Sequence, residues 1–576
     1  YEDVTNIDAV GLITARDGII VGSGITLSVD GDGFFTGVVT ATSYAGDGSG
    51  LTGVANTENI RTNTNATFLQ NINVGVAITA GKLGIGFTDT NVKIGNTALD
   101  SLTTGTNNIG VGQEALTANT TGSNNVAVGK GCLDLNTTGS DNNAVGSNAL
   151  DANTTGDNNN AFGQGALGGN TTADNNSAFG HNALKANTTG TQNTAVGSLA
   201  LDANTTASYN TAIGYNSLTA NTTGANNTAV GREALYGNTT ASNNTAVGYN
   251  AMNVNTTGAD NTAVGTNALD ANTTGSYNAA FGKHALTANT TADYNSAFGT
   301  TSLYSNTTGN YNTTVGADSL KNNTTASNNT ACGYAALNAN VTGNDNTAVG
   351  KEALKLNTGG SNTAVGNECL ESNTTGIRNT AVGANAADAS ATANDVTAIG
   401  YAALTANANE GSNNTAVGSY ALNNNTTGSE NTAMGKSALG SATTGAYLTA
   451  VGSGAMAAAV TGNKNDAFGF NAGASITTGT SNTCIGAQSG DSISTGNYNV
   501  AMGVAALQAG QSISQNVAIG YRALYTSTAN YNTAVGYDAM FANTTGNANV
   551  AFGTYALNDN TEGNRNTAIG YQALEA

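Results

Sequence analysis

The residues best suited to nucleophilic, redox or metal chemistry are four cysteines and two histidines in a chain of 576 residues. No CxxC pair occurs, so the usual spacing of a redox or zinc site is missing. His181 and His284 lie 103 residues apart, and neither stands in an HxxxH or GxSxG context. A catalytic site needs a clustered acid, base or nucleophile. We therefore predict that the chain is not an enzyme, that it uses no cofactor, and that both histidines lie in surface loops.

The stretch VDGDGF at residues 29–34 offers Asp30 and Asp32 as oxygen ligands for calcium. An EF-hand loop needs a third acidic residue and a closing Glu, and both are absent here. The nine-residue Gly and Asp period of calcium-binding β-helix repeats is absent as well. We interpret the stretch as a turn and predict no metal site.

These residues belong to a chain that is mostly internal repeat. A Gly closes an apolar triplet such as AVG at Gly95, Gly112 and onward to Gly570, in 29 copies. Of the 28 intervals between these glycines, 25 are 17 residues long, two are 16 and one is 18. A fixed period of this kind indicates a solenoid, in which loops absorb single insertions and deletions.

Two apolar columns run through the repeat. The residue before the repeat Gly is apolar in all 29 copies, mostly Val or Ile, and the fourth residue after it is Leu in 23. We predict that both columns are buried, one inside the coil and the other against sister chains. The predicted repeat core is represented by Val196, Leu201, Ile213, Leu218, Val230, Leu235, Val264 and Leu269.

Each copy predicts one coil of a parallel β-solenoid. Seventeen residues are too few for a helix pair, and Val, Ile, Thr and Phe favour strands whereas NTTG favours turns. The predicted coil has a strand over NTAVG, a corner at the Gly, a second strand over ALxAN and a corner at TTG. A stack of 29 coils at strand spacing would form a rod of about 140 Å. Asn side chains at equivalent positions would stack as amide ladders and satisfy one another from coil to coil.

The cysteines fit this scheme as packing residues. Cys132, Cys369 and Cys484 stand at or near Ala positions of the repeat, and Cys332 takes the apolar position before Gly333. Cys332 and Cys369, the nearest pair, would be two coils or about 10 Å apart, which is too far for a disulfide. We expect small core residues with free thiols.

Tyrosines form two columns, one directly after the repeat Gly and one five residues before it. Exposed aromatic columns could hold sugar rings, whereas packing over the corners of the coil is the plainer interpretation. The candidate surface-binding residues are Tyr209, Tyr215, Tyr277, Tyr294, Tyr311, Tyr498 and Tyr531. The many NTT triplets match the N-glycosylation acceptor, but stacking of Asn inside the coil explains them more simply.

Charge and hydropathy restrict the partners. The chain has 16 Lys and Arg against 36 Asp and Glu, a net charge of −20, which argues against nucleic acid. No apolar run reaches eighteen residues, so we predict no membrane span. The opening YEDVTNIDAVG lacks Met and is not a signal peptide, so we interpret the chain as a processed or partial product.

Sharing of a core between chains follows from the narrow coil. One coil supplies only two large apolar side chains, and small cores are marginally stable. We therefore predict that several chains share a core along their common axis, as a closed symmetric homo-oligomer.

The repeat resembles two known families. The stretches NTAVG, NTAIG and NSAFG at residues 193–197, 210–214 and 295–299 resemble the motif of YadA-like trimeric autotransporter heads. The longer form NTAIGYNSLTANTTG at residues 210–224 resembles the shafts of phage tail fibres. The resemblance covers about residues 90–576 and implies a left-handed β-roll in a homotrimer. Before it, SYAGDGSGLTGV at residues 43–54 resembles structural proteins of marine tailed phages.

Together these features predict an all-β chain with a β-rich stem at residues 1–89 and a β-roll shaft of 17-residue repeats at residues 90–576. We predict an extracellular structural fibre protein, the rigid trimeric spacer of a viral tail fibre on the virion, that mediates attachment to a host surface. Its partners would be two further copies of itself, a host receptor or glycan bound through a tip outside this chain, and a virion or cell-surface anchor at the N-terminus.

Two alternatives stay open. A bacterial trimeric adhesin or surface filament shares the same fold. An ice-binding solenoid could use regular Thr columns, although only one of the two adjacent Thr in NTTG can point outward on a strand.

Overall fold

The computed structural model describes residues 90–406 and 411–575. In these ranges, 29 parallel strands, one in each repeat copy, form a single sheet, and there is no helix. The all-β parallel solenoid that the 17-residue period predicts is therefore confirmed. The predicted stem at residues 1–89, with Asp30 and Asp32, lies outside the described residues.

Every strand is three residues long and ends directly before the repeat Gly. The strands are β1 (Val92–Ile94), β2 (Ile109–Val111), β3 (Val126–Val128), β4 (Asn143–Val145), β5 (Asn160–Phe162), β6 (Ser177–Phe179), β7 (Thr194–Val196), β8 (Thr211–Ile213), β9 (Thr228–Val230), β10 (Thr245–Val247), β11 (Thr262–Val264), β12 (Ala279–Phe281), β13 (Ser296–Phe298), β14 (Thr313–Val315), β15 (Thr330–Cys332), β16 (Thr347–Val349), β17 (Thr363–Val365), β18 (Thr380–Val382), β19 (Thr397–Ile399), β20 (Thr415–Val417), β21 (Thr432–Met434), β22 (Thr449–Val451), β23 (Asp466–Phe468), β24 (Thr483–Ile485), β25 (Val500–Met502), β26 (Val517–Ile519), β27 (Thr533–Val535), β28 (Val550–Phe552) and β29 (Thr567–Ile569).

The register of the sheet follows the repeat. Ala195 in β7 lies opposite Ala212 in β8, its equivalent 17 residues on. The register survives the 18-residue coil, where Thr397 pairs with Thr415, and the two 16-residue coils. Changes in coil length are therefore taken up outside the strands, as predicted.

The second strand predicted over ALxAN does not form. This stretch runs through turns in which Leu201 has a left-handed φ of 55°, and the Asn204 N–H donates to the Leu201 carbonyl at 3.2 Å. The stretch still bonds from coil to coil, because the Leu201 N–H donates to the Ser217 carbonyl at 3.0 Å. A coil of only 17 residues has to bend sharply to close. We infer that this closure, with its bonds between coils, outweighs the cost of about 1–2 kcal/mol for a left-handed Leu.

Six buried columns make up the core. They are the Asn before the strand, the middle strand residue, the third and fourth residues after the repeat Gly, the Asn of NTTG, and the Gly or Ala that ends this turn. Around Gly197 the six buried residues are Asn193, Ala195, Ala200, Leu201, Asn204 and Ala207. In most coils one Leu is thus the only large apolar group inside, and the Leu members of the predicted core are buried: Leu201, Leu218, Leu235 and Leu269.

The Val and Ile column is not part of this core. Val196 is 37% exposed and Ile213 is 40% exposed, while Val230 and Val264 are half-buried. Side chains alternate between the two faces of a strand. Because the middle Ala points inward, the first and third residues both point outward. The Leu column is therefore the one inside the coil, and burial of the Val and Ile column against sister chains stays a prediction.

Two ladders of buried Asn side chains complete the interior. In the first ladder, the Asn210 N–H donates to Oδ1 of Asn193 at 3.0 Å, and Nδ2 of Asn193 donates to the Ala207 carbonyl at 2.9 Å. In the second, Nδ2 of Asn204 donates to Oδ1 of Asn187 at 2.8 Å and to the Ala207 carbonyl at 3.0 Å. The predicted amide ladders are confirmed.

The repeat Gly is required by the distance between coils. Gly197 has a φ of 134°, which side chains disfavour. A Cβ on Gly197 would also lie 2.5 Å from the carbonyl oxygen of Gly214. A side chain at this corner would meet the backbone of the next coil, which explains why all 29 copies carry Gly there.

Candidate functional site

The outward side of the sheet is one candidate functional surface. We call it the strand face, and it consists of the first and third residues of β1 to β29. The third position carries Val, Ile, Phe, Met or Cys throughout, and the first is mostly Thr. Phenylalanines stack along it, with ring centroids 4.9 Å apart for Phe162 and Phe179 and 4.8 Å apart for Phe281 and Phe298. The result is a continuous apolar stripe, a feature that marks interaction surfaces.

The cysteines lie on both sides of the sheet. Cys132, Cys369 and Cys484 are buried, as predicted, whereas Cys332 is exposed. Cys332 takes the outward third position of β15, so the expectation that it packs in the core is wrong. Burial raises the pKa of the Cys369 and Cys484 thiols to about 12, which keeps them protonated and unreactive near neutral pH. All four cysteines are free.

The tyrosines that precede the repeat Gly by five residues form what we call the ring column, the set of all residues at that position. Tyr277, Tyr294 and Tyr311 stack there with centroid distances of 4.8 and 5.2 Å and nearly parallel rings. Partial desolvation between its neighbours raises the pKa of Tyr294. Because the rings lie face to face, a sugar could stack only on the two outermost faces. Tyr209 and Tyr498 stand in the same column without a neighbouring Tyr and are exposed.

The tyrosines after the repeat Gly belong to a different edge of the sheet. Tyr215 follows β8, and the Arg232 guanidinium lies 6.0 Å from its ring centroid and 5.6 Å from that of Tyr249. These distances fit cation–π packing over a corner. Tyr209 and Tyr215 flank the same strand from opposite ends, so the structure does not bring the seven candidate tyrosines into one site.

A polar column was missed by sequence reasoning. It is the fifth residue after the repeat Gly, and we call it the turn column. Several donors in this column bond a carbonyl of the preceding coil: Thr219 Oγ1 donates to Leu199 at 2.8 Å, and Asn338 Nδ2 donates to Asp318 at 2.9 Å. Burial raises the pKa of five aspartates in this column, Asp151, Asp202, Asp270, Asp388 and Asp491. The Leu-Asp pair in copies such as ALDAN was the signal in the sequence.

One coil leaves a notch of about 640 Å³ in the turn region. Three glycines of the stretch GQGALGG at residues 163–169 take places where other coils carry side chains. The carboxylates of Asp151 and Asp202 and the ammonium of Lys185 line this notch. Lys185 acts against the raised pKa of both carboxyls, and its single positive charge offsets only one of the two carboxylates.

The histidines do not form a site. His181 is exposed, and His284 is half-buried with its ring edge-on to Tyr304 at 6.1 Å. Within residues 90–406 and 411–575, no three His, Cys, Asp or Glu side chains are placed to hold a metal. That same part of the chain contains no helix suited to crossing a membrane.

Comparison with known proteins does not assign the chain. No protein-family model matches it, and no match is found among curated proteins. The fold class, a parallel β-solenoid of 17-residue coils, and the surfaces described above are therefore the basis for any functional proposal.

Proposed function

We propose that this chain is the shaft of a homotrimeric fibre, the rigid spacer of a viral tail fibre that mediates attachment to a host surface. The observation that carries the proposal is the apolar stripe of the strand face. A water-exposed column of Val, Ile and Phe that runs the length of a soluble rod calls for a partner of equal length. Another copy of the same rod supplies a matching stripe, and closed rings of identical chains are the usual solution.

The core of the single coil supports the same proposal. In most coils one Leu and a few small residues bury little apolar surface, and the two Asn ladders are polar. A packed strand face would add one further large apolar side chain per coil to a shared interior, at about 25 cal/mol for each Å² buried.

A mechanical role fits the in-register repetition. Each added coil repeats the same contacts and adds about 4.8 Å, so 29 coils give a rod of about 140 Å without any new fold. Every coil is held to the next by backbone and Asn side-chain bonds. We take the coil to be left-handed and the protein to be extracellular, on a virion tail, with a host receptor or glycan bound through a tip outside this chain and an anchor at its N-terminal end. A bacterial trimeric adhesin or surface filament would use the same geometry, and the segments at the two ends of such a fibre would distinguish the two.

Solution mass tests the proposal. Light scattering on the native particle should give three times the chain mass of 56.9 kDa. The triple variant Val196→Lys, Ile213→Lys and Val230→Lys places three charges in the stripe and should shift the particle to monomer.

A matched triple, Thr189→Lys, Thr206→Lys and Thr223→Lys, adds the same charge at exposed turn positions of the same region and should leave the trimer intact. A monomeric parent chain, or equal loss of assembly in both triples, would contradict the shared strand face.

One observation favours a second candidate. The first strand position is Thr in every strand from β7 to β11, which places outward hydroxyls one coil apart beside the apolar stripe. A flat array of this kind could order water for ice binding. The objection that only one of the two adjacent Thr in NTTG can point outward does not apply to it, because this column has one Thr per coil. Thermal hysteresis of a monomeric chain would favour this candidate over the fibre.

A further inference from the structure

Most positions of the ring column carry a side chain with a planar group, one coil apart. The Tyr277–Tyr294–Tyr311 ladder shows this spacing directly, with ring centroids 4.8 and 5.2 Å apart. All three residues have a left-handed φ near 58°, so the backbone at this position presents side chains outward in a fixed direction.

One rung of this column is missing near the C-terminal end of the described residues. Ala548 stands between Tyr531 and Arg565, and the resulting notch of about 610 Å³ is also lined by Asn547 and Asn564. Tyr531 and Arg565 are two coil steps apart, or about 9.6 Å along the rod. A ring seated over Ala548 would lie about 4.8 Å from each of its neighbours, the spacing of the Tyr ladder. Tyr531 is 61% exposed, so its ring is accessible for stacking.

The guanidinium of Arg565 is free to take an anion. It is exposed, and no carboxylate of the described residues forms an ion pair with it. Arg378, in the same column, is different, because Nε and a terminal nitrogen of its guanidinium bond both oxygens of Asp395 at 2.7 and 2.8 Å. Of the two arginines in the described part of the ring column, Arg565 is therefore the one whose guanidinium N–H groups are not paired with a carboxylate.

The floor of the notch adds further donors. Oδ1 of Asn564 accepts the Asn547 N–H at 2.6 Å, and Oδ1 of Asn547 accepts the Asn530 N–H at 3.0 Å. Each amide nitrogen donates once to a backbone carbonyl, Asn547 to Thr545 and Asn564 to Glu562. An amide nitrogen has two N–H groups, so one on each Asn is left for a ligand.

We propose that this notch binds an acidic pyranose, a six-membered sugar ring that carries a carboxylate. The sugar ring occupies the missing rung with one face against Tyr531. Its carboxylate bonds Arg565 in bidentate fashion, and its hydroxyl oxygens accept the free N–H groups of Asn547 and Asn564. The site lies on the side of the rod and needs no partner chain, so it stands independently of the trimer proposal.

The test uses the full chain and sodium D-glucuronate, titrated by calorimetry or saturation-transfer NMR at constant ionic strength. D-Glucose supplies the ring without the charge, and sodium acetate supplies the carboxylate without the ring. We expect saturable binding of glucuronate and at least tenfold weaker binding of both comparison compounds. Equal affinity for acetate would reduce the notch to a simple anion site and overturn the proposal, as would the absence of saturable glucuronate binding.

Variants locate the site. Ala548→Tyr fills the rung with the side chain that this column already stacks elsewhere, and it should weaken glucuronate binding at least tenfold. Arg565→Gln should bring the affinity for glucuronate down to that for glucose. Asn328→Tyr, next to Tyr311 in the same column, is the matched control for adding a Tyr at a left-handed position and should change affinity less than twofold. Unchanged binding in both Ala548→Tyr and Arg565→Gln would refute the assignment.

Discussion

At the scale of single residues, this protein is unusual in building its interior from amides. Buried Asn is costly when its hydrogen bonds are unmet, and here each Asn of a ladder hydrogen-bonds to groups of the neighbouring coil. Oδ1 of Asn193 accepts the backbone N–H of Asn210, and its Nδ2 donates to the Ala207 carbonyl. The Asn side chain thus fills space and satisfies two backbone groups that no strand partner reaches.

Replacement of one ladder Asn should therefore lower the free energy of unfolding by more than the size of the side chain indicates. Asn193→Ala leaves the Asn210 N–H buried without a partner, at about 1–3 kcal/mol, and removes one of the two donors to the Ala207 carbonyl, which keeps its bond from Asn204. We expect faster amide hydrogen exchange across the coils on both sides of Asn193. Thr206→Ala, at an exposed position, is the control and should leave exchange unchanged. Equal protection in the two variants would show that the ladder contributes nothing to coil stability.

The turn-column aspartates set a pH dependence of stability. Burial raises the folded-state pKa of Asp151 and Asp202 above the unfolded value of about 3.9. The folded chain therefore binds protons more readily than the unfolded chain, and stability rises as pH falls from 7 towards 4. The melting midpoint should be higher at pH 5 than at pH 7, and Asp151→Asn with Asp202→Asn should reduce that difference.

Asp395 provides a control of opposite sign. Its hydrogen bonds to Arg378 lower its pKa, so its contribution is present above the unfolded pKa and is lost only as pH falls through the folded one. Asp395→Asn should thus leave the difference in melting midpoint between pH 5 and pH 7 as it is in the parent chain. A melting midpoint that falls from pH 7 to pH 5 in the parent would contradict the role given to the turn column.

At the scale of the element, the sequence predicts the period and the first strand but not which side of that strand is inside. The 17-residue spacing and the NTAVG pattern predict a strand at each of the positions of β1–β29. Alternation requires Ala195 and Val196 to lie on opposite faces, and hydrophobicity alone favours the larger Val as the core residue. Ala lies inside and Val outside because the closed coil is narrow and one Leu already fills its interior. The turns at ALxAN were missed for a related reason, since left-handed Leu residues run against local propensity.

The assignment of faces can be tested within one strand. Ala195→Val adds two methyl groups to the filled interior, where overpacking costs about 1–3 kcal/mol, and should raise hydrogen exchange in β6, β7 and β8. Val196→Ala removes two methyl groups from the strand face and should leave exchange within the coil close to that of the parent. In the proposed trimer it should instead promote dissociation on dilution. If Val196→Ala opened the coil more than Ala195→Val, the inward side of the strand would have been misassigned.

The candidate sites were predictable only in part from the sequence. The two tyrosine columns are visible as spacing, and both lie on the surface, although at separate edges of the strands. The notch at Ala548 is defined by a side chain that is small where its neighbours in the column, Tyr531 and Arg565, are large. Such a gap has meaning only once the column is known to stack at about 5 Å per coil, and that spacing comes from the fold.

At the scale of the whole molecule, each coil contacts only its neighbours, and stability is approximately a sum of repeat and interface contributions. Length should then be adjustable in whole coils. Deletion of residues 215–299 removes five coils and joins Gly214 to Thr300, which continues the repeat in phase. We expect a folded rod that is shorter by about 24 Å, measured by electron microscopy, with a melting transition close to that of the parent.

A deletion out of phase is the matched comparison. Removal of residues 215–307 joins Gly214 to Thr308 and takes out the Leu and the Asn of one further coil. The short coil that results cannot close, because it lacks the turn at Ser302 and Leu303 and the Asn306 of the second Asn ladder. We expect the rod to divide there into two separately melting parts, since cooperativity passes only between paired coils. A single melting transition in the out-of-phase variant would contradict this account. It would show that the two parts unfold together without the coil-to-coil bonds that were removed at the junction.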